Sequence, residues 1–249
     1  MALIGIGDIH GNIRALHDLL SQLEREISAD DTVVFLGDYI DRGTNTRDCV
    51  ERIIEFRGAS VAQVVCLCGN HDEWLRRTRR NHRVHTWLLA TDAFTTIRSY
   101  SADAADTLQR ACSAAGPAIY GDDFPLPYDC FFDAMPTTHL AFFESLRDWH
   151  QLGDCVCVHG GVDPRVPGLQ GQSRYDLLWG SADFPEHYAG LDAIIYGHRN
   201  NAVVDGDGWP SPREVGRTIG IDTISHGVLT AFRWPDRRVF QSGRYAGRR

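Results

Sequence analysis

Five short apolar runs in this chain each stop at a residue that can bind a metal, and this repetition narrows what the chain can fold into. The runs end at Asp8, Asp38, Asn70, His159 and His198, with a glycine beside each. Short apolar runs bounded by turn residues are typical of buried strands. In an open α/β sheet, functional groups collect beyond the carboxyl ends of the strands. We therefore expect these five side chains to lie close together.

The order of apolar and polar segments predicts the fold class. Strands are expected over 2–7, 32–36 and 61–67, separated by two helices, and Asn12 is positioned to cap the first helix. Strand, helix, strand is the pattern of βαβ units and of a parallel sheet. Further strands are expected at 155–158, 193–196, 218–221, 228–232 and 238–241, with a hairpin at the end. The sequence alone therefore predicts an α/β fold.

The segment 81–150 has a different composition from the rest of the chain. Polar and aromatic residues mix there, and Gly116-Pro117 and 124–127 interrupt it. Residues 102–115 and 138–148 have helical spacing. We interpret 81–150 as a helical cap inserted into a single domain that spans 1–249, and we call it the cap segment.

Charge and cysteine usage exclude several classes of protein. The formal net charge is -8, and a protein that coats nucleic acid needs a basic surface, so no nucleic-acid partner is expected. No secretory signal and no apolar run of about 18 residues is present, so we expect a cytoplasmic protein without a membrane partner. Among the seven cysteines, the pairs Cys66/Cys68 and Cys155/Cys157 lie in strand-like runs. They are expected to be buried thiols in a reducing compartment.

The polar residues at the strand ends form a complete set of metal ligands. Their oxygen and nitrogen atoms suit Mn, Fe or Zn. Asp38, from the middle strand, can bridge two metals about 3.5–4 Å apart, and a hydroxide held between them is a nucleophile at neutral pH. One metal would be completed by Asp8 and His10, and the other by Asn70, His159 and His198. We predict two divalent ions, with Mn²⁺ preferred and Fe or Zn as alternatives.

The motifs that carry these residues resemble those of a known enzyme family. GDIHG, GDYIDRG, GNHD, HGG and GH follow one another between Gly7 and His198, within a resemblance that covers residue 5 to about residue 232. This order resembles the phosphoprotein phosphatases within the calcineurin-like metallophosphoesterases. The small bacterial serine/threonine branch is indicated by Trp87-Leu88-Leu89, by 138–143 and by Asp176-Leu177-Leu178-Trp179.

The resemblance implies a fold and three further roles. It implies a four-layer α/β/β/α sandwich with the metal ligands at the positions given above. It also implies that His71 is the general acid that protonates the leaving oxygen, and that Asp41 orients this histidine. Arg42 would hold the phosphoryl oxygens, as a guanidinium fork does well.

Two departures from the family pattern bear on the substrate. Asp72 stands where many members have Glu, and Ser181 stands where bacterial relatives carry an arginine. A second arginine that grips phosphate is therefore in question, and Arg174 is the nearby candidate.

The predicted reaction is hydrolysis of a phosphate monoester by a metal-bridging hydroxide. The favoured partner is a phosphoprotein at serine or threonine, with tyrosine as a further target, or else a small phosphate ester. The alternative is a symmetrical bis(5'-nucleosyl)-tetraphosphate hydrolase, which Asp72 favours, whereas Tyr39-Ile40-Asp41-Arg42 favours the protein phosphatases. A dinucleotide hydrolase should stack adenine on an aromatic residue of the cap, and a protein phosphatase should have an open groove. A third interpretation is a binding module that does not turn over a substrate. It is disfavoured because the sequence contains every expected metal ligand.

Overall fold

The computed structural model describes residues 1–121, 124–181, 183–200, 202–204 and 206–245. The strands are β1 (Leu3–Ile6), β2 (Thr32–Phe35), β3 (Gln63–Cys66), β4 (Trp149–Leu152), β5 (Cys155–Val158), β6 (Ala193–Tyr196), β7 (Val203–Val204), β8 (Pro210–Ser211), β9 (Arg213–Val215), β10 (Thr218–Gly220), β11 (Thr230–Trp234) and β12 (Arg238–Gln241). The α-helices are α1 (Ile13–Leu23), α2 (Thr46–Ala59), α3 (Asn70–Arg80), α4 (Thr86–Ala90), α5 (Ala93–Tyr100), α6 (Ala102–Ala115), α7 (Asp129–Phe132), α8 (Thr137–Glu144) and α9 (Arg174–Trp179).

Two mixed five-stranded sheets organise the described residues. The first has the order β12-β11-β1-β2-β3, and the second has the order β4-β5-β6-β10-β9. The strands β1, β2 and β3 run parallel, as the sequence predicts, and β11 and β12 form the predicted antiparallel hairpin. The edge strands β4 and β9 were not predicted and pair antiparallel to their neighbours. β4 reads Trp-His-Gln-Leu and is only partly buried, so it lacks the apolar run that marks a strand.

The layers follow from where apolar side chains are buried. One cluster, with Leu3, Val34, Cys157 and Ile195 among its members, fills the space between the two sheets. The outer face of the first sheet packs against α1 and α2, and that of the second packs against residues around α9. In α1 the residues Ala15, Leu16, Leu19, Leu20 and Leu23 are buried. This arrangement confirms the four-layer α/β sandwich.

The described part of the cap segment contains five α-helices, α4 to α8. The predicted helix over 102–115 is confirmed as α6, and the one expected over 138–148 begins at Thr137 and ends at Glu144. The N–H of Ser145 donates to the carbonyls of Ala141 and Phe142, which closes that last turn before β4. Phe142 packs edge-on against Tyr39, with ring centroids 5.1 Å apart, so the cap segment contacts the loop that follows β2.

Two further predictions can be compared with the fold. All seven cysteines are free thiols, and the four in the strand-like runs are buried, as predicted. Among the helices of the described residues, none combines the length and the apolarity that crossing a bilayer demands.

Candidate active site

The structure brings the six predicted ligands together where the two sheets meet. Asp8 and His10 follow β1, Asp38 follows β2, Asn70 begins α3 after β3, and His159 and His198 follow β5 and β6. Five of the six side chains are buried, and His198 is partly buried. The backbone amide of His198 donates to both carboxylate oxygens of Asp8 at 3.1 Å, which links the two sheets across the site.

The first group of ligand atoms surrounds the carboxylate of Asp38. Nδ1 of His10 lies 2.7 Å from the carbonyl oxygen of Ile40 and donates to it, so Nε2 carries a lone pair. This Nε2 lies 3.5 Å from Oδ2 of Asp38 and 4.0 Å from Oδ2 of Asp8. Both His10 Nε2 and Asp38 Oδ2 are buried and form no hydrogen bond in the described part of the chain. Buried polar atoms of this kind require a partner, and a cation satisfies both.

The second group contains a pairing that hydrogen bonding alone does not explain. Nδ1 of His159 donates to the carbonyl oxygen of Leu36 at 2.9 Å, and burial lowers the pKa of His159, so its Nε2 has no proton. That Nε2 nevertheless lies 3.0 Å from Oδ1 of Asn70 and 3.5 Å from Oδ1 of Asp38. His198 Nδ1 approaches the same Asn70 oxygen at 2.8 Å. The unprotonated Nε2 of His159 beside two oxygens fits a shared cation, and a backbone carbonyl on the opposite ring nitrogen is a usual second partner of a metal-bound histidine.

The donor set therefore fits two cations. The groups His10, Asp38 and His71, and Asp38, His159 and His198, each bring their ligand atoms within 4.8 Å of one another. The first of these groups contains His71 where the sequence predicts Asp8, because Nε2 of His71 lies 3.9 Å from Oδ2 of Asp38. Asp38 belongs to both groups, which is what a bridging ligand requires.

The loops that carry these residues have unusual backbone conformations. His10, Asp38, Asp41, Arg42 and His198 all have φ between 44° and 68°. Residues other than glycine adopt this region at a cost, and such strain clusters at functional sites. Gly69 is required for a different reason: a Cβ there would lie 2.0 Å from Oδ1 of Asp38. These loops are thus shaped to bring side chains close together.

Burial and charge set the protonation of the ligands. Burial lowers the pKa of His10 and of His198 to about 3, so both imidazoles are neutral and able to bind a cation. Burial also opposes ionisation of Asp38, but the surrounding histidines outweigh it and hold the pKa of that carboxyl below its usual value. Burial, with the charges of Asp222 and Asp38, raises the pKa of Asp8 well above its usual value. Such crowding of acids is relieved when a cation is added.

The predicted general acid is held by a network that reaches into the cap segment. Nδ1 of His71 lies 2.7 Å from Oδ2 of Asp41. Nε1 of Trp87 donates to both oxygens of Asp41 at 3.1 and 3.0 Å, and Oγ1 of Thr96 donates to one of them at 2.8 Å. Burial lowers the pKa of His71, but Asp38 and Asp41 outweigh burial and raise it to about 9. The raised pKa favours the protonated imidazole, which is the form that a general acid requires.

Arg42 lies beside His71 at an open cleft. The cleft has a volume of about 380 Å³ and is lined by Arg42, His71, Leu89, Ala90, Thr91 and Asp92. The Arg42 side chain is exposed. It is thus accessible to a phosphoryl group that reaches the ligand cluster.

Arg174 occupies a different environment from the one predicted. Its Nε donates to Asp148 at 2.9 Å, and its Nη2 lies 2.8 Å from Oε2 of Glu73. A guanidinium that already bonds two carboxylates has fewer N–H groups left for a phosphate. Its role as a second phosphate ligand stays a prediction.

No supporting role was predicted from the sequence for Asp72 or for Asp222. Asp72 accepts hydrogen bonds from the backbone amides of Asp38, Tyr39 and Gly69 at 2.8, 3.3 and 2.9 Å. It thereby ties the loop after β2 to the start of α3. Asp222 is buried close enough to Asp8 to raise its pKa. The only signal for Asp72 was its place in the GNHD motif.

The fold and this ligand cluster define a metal-dependent phosphoric ester hydrolase. The sequence profile of the calcineurin-like phosphoesterases matches residues 1–227, and the chain belongs to that family. A symmetrical bis(5'-nucleosyl)-tetraphosphatase from Proteus mirabilis is 26% identical over 286 residues, covering 96% of this chain and 97% of that one.

Two solved structures share the fold. One is a protein provisionally named as a diadenosine tetraphosphatase, with a TM-score of 0.62 and 17% identity over 99% of this chain and 95% of its own. The other is the cold-active protein-tyrosine phosphatase of a Shewanella species, with a TM-score of 0.53 and 14% identity over 96% and 77%. The enzyme class predicted from the sequence is confirmed, and the bacterial protein phosphatase branch stays a prediction.

Proposed function

We propose that six side chains hold two divalent cations, with Asp38 shared between them. Asp8 and His10 would complete one coordination set. Asn70, His159 and His198 would complete the other. The unpartnered His10 Nε2 and Asp38 Oδ2, together with the unprotonated Nε2 of His159 beside Asn70, support this assignment. When bound, such a pair supplies Lewis-acid charge to a phosphoryl group and lowers the pKa of water.

The neighbouring side chains complete the reaction. Arg42 binds the phosphoryl oxygens, and its guanidinium charge compensates negative charge that grows in the transition state. His71 donates the proton from Nε2 to the leaving oxygen, and Asp41 holds Nδ1 so that Nε2 faces Asp38 and the ligand cluster. The single observation that carries this proposal is the short His71–Asp41 contact directly beside both ligand groups.

For the substrate, we favour a dinucleoside tetraphosphate. The support is the likeness to a tetraphosphatase over nearly the full length of both chains, together with Asp72 in the GNHD motif. This reverses the order of the two candidates given by the sequence alone.

A protein serine/threonine phosphatase, with tyrosine as a further target, is the second candidate. The observation that favours it is the open cleft at Arg42 and His71, which can admit a side chain that projects from a protein surface. The GDYIDRG motif points in the same direction.

One experiment separates the two candidates. The Mn²⁺-loaded protein is given diadenosine tetraphosphate and a phosphoserine peptide in parallel, with a chelator-treated sample as control. Metal-dependent symmetrical cleavage of the dinucleotide, at a kcat/KM well above that for the peptide, is expected. Preferential release of phosphate from the peptide would reverse the choice, and no metal-dependent release from either would contradict the proposed reaction.

A further inference from the structure

Three aromatic side chains form a row of ring contacts that begins at the ligand cluster. Trp74 on α3 and Trp179 on α9 have ring centroids 5.1 Å apart, and Tyr175 lies 6.3 Å from Trp179 with nearly parallel planes. We call these three residues the aromatic strip. Because α3 and α9 follow different sheets, the strip exists only in the folded protein.

Two rings of the aromatic strip contact residues of the proposed active site. The ring of Trp74 lies 5.7 Å from that of His71, the proposed acid, and the ring of Trp179 lies 5.1 Å from that of His198, a proposed metal ligand. The carbonyl oxygen of Trp179 also accepts a hydrogen bond of 3.1 Å from Nη2 of Arg199. A group resting on the strip is therefore next to any phosphate held in the cluster.

The strip lies at the edge of the core, where Trp74 and Trp179 pack against buried residues with only part of their surface. Tyr175 is 67% exposed, and Trp74 and Trp179 are only partly buried. Aromatic rings that keep an exposed part next to a polar site form an apolar patch of the kind that marks ligand-binding grooves. A nucleobase is a ligand that suits such a patch, and every base has a π-face that can stack on an aromatic side chain.

We propose that the aromatic strip is the base-binding subsite of this enzyme, on which a purine of a nucleoside polyphosphate stacks while its phosphates reach the cluster. The subsite rests on the proposed hydrolysis at the ligand cluster. It makes the base the part of the substrate that the enzyme selects. The ring of Tyr175 is the most exposed of the three, and the ring of Trp179 contacts both Tyr175 and His198. The subsite lies on α3 and α9 and not on a residue of the cap segment, where the sequence predicts a stacking residue.

The first test compares Tyr175→Ala with Tyr175→Phe. The substrates are diadenosine tetraphosphate and inorganic tripolyphosphate, which has phosphates and no base. Removal of the ring is expected to lower selectivity for the dinucleotide, measured as the ratio of kcat/KM values, about five- to a hundredfold, the range of base–aromatic stacking. Most of that loss should appear in KM, and Tyr175→Phe should restore it. An unchanged ratio, or failure of Phe to rescue, would overturn the subsite.

The matched control is Tyr120, an aromatic residue of the cap segment that is 78% exposed. Tyr120→Ala should leave the selectivity ratio unchanged. If Tyr120→Ala lowers the ratio and Tyr175→Ala does not, the base lies on the cap and the proposal is wrong.

A binding measurement separates failure of the subsite from failure of the proposed reaction. Titration calorimetry compares adenosine monophosphate with ribose 5-phosphate, which differ only by the base. Adenosine monophosphate should bind more tightly, and Tyr175→Ala should narrow the gap about tenfold, within the stacking range. This result stands even if no ester is hydrolysed, whereas equal binding of the two ligands would refute the subsite whether or not the enzyme turns over.

Discussion

The strand-end loops and the cap segment contribute to the same site in different ways. The loops, at 8–10, 38–42, 69–72, 159 and 198, supply every proposed ligand and the proposed acid. The cap segment supplies no ligand, yet its Trp87 and Thr96 provide three hydrogen bonds to the carboxylate of Asp41. The groups that meet the substrate are therefore carried by one region, and part of their orientation is set by the other.

The largest effect is expected from removing the shared carboxylate of the loops. Asp38→Asn keeps the size but removes a charge that faces His10, His71 and His159 at 3.5 to 3.9 Å. Loss of a bridging ligand should cost several kcal/mol, hence about a thousandfold in turnover. The bound Mn²⁺ per chain, measured by atomic absorption, should fall as well.

Asp106→Asn is the control for that experiment, because Asp106 is an exposed residue of α6 that pairs with Arg98 at 2.8 Å. It should keep both metal and rate. If Asp38→Asn keeps its full metal content, Asp38 is not a bridging ligand. The claim that the loops hold the metals while the cap segment only orients the acid would then lose its main support.

The second-largest effect is expected from removing the proposed general acid, His71. His71→Asn should retain Mn²⁺ and lose about a hundred- to ten-thousandfold in rate on substrates with poor leaving groups. The loss should be small with p-nitrophenyl phosphate, whose leaving oxygen needs no proton. His71 also lies within reach of Asp38, so loss of metal in this variant would instead make it a ligand.

A smaller effect is expected in the cap segment. Trp87→Phe removes the indole N–H that bonds Asp41, and a hydrogen bond to a charged group contributes about 1.5–3 kcal/mol. The free energy of unfolding should drop by that order, and the rate on poor leaving groups should fall about tenfold while metal content is unchanged.

Trp149→Phe is the matched control, since Trp149, although it falls at the end of the cap segment as defined, begins β4 and packs on the outer face of the second sheet. It should leave the rate untouched. If the two tryptophan variants behave alike, the cap segment does not orient the acid.

The smallest effect on activity is expected at Asp31, just before β2. Its carboxylate accepts from the amides of Ala2 and Ser28 at 2.7 and 3.0 Å. Burial raises the pKa of Asp31, but these donors outweigh it and leave the pKa below its usual value. A lowered folded-state pKa gives stability that is present above the unfolded-state value of about 3.9 and is lost as pH falls through the folded-state value.

Asp31→Asn should therefore lose about 1–3 kcal/mol of unfolding free energy at pH 7, and less near pH 3. Urea unfolding at both pH values checks this, with kcat as a second readout that should not move. A loss that is the same at both pH values would show that the charge of Asp31 is not responsible.

The loops and the cap segment also differ in how much of their structure could be predicted from the sequence. Asp8, Asp38 and Asn70 could be placed because each directly follows an apolar strand, and the structure gathers them as expected. The helix over 102–115 was also predictable from its spacing, whereas the polar edge strand β4 was not.

The contacts of the cap segment could not be predicted. Trp87 and Thr96 are 46 and 55 residues from Asp41, and a tryptophan and a threonine carry no pattern that would indicate a partner so distant. Tyr175 and Trp179 are neighbours on one turn of α9, but Trp74 meets Trp179 only because two helices from different sheets converge. Such pairings depend on tertiary packing, which local sequence does not specify.

The central claim is that two cations share Asp38 between the strand-end loops. An anomalous difference map from crystals grown with Mn²⁺ tests it directly. The account predicts two peaks, one beside Asp8 and His10 and one beside Asn70, His159 and His198, with the Asp38 carboxylate in contact with both. A single peak, or peaks that do not touch Asp38, would contradict it.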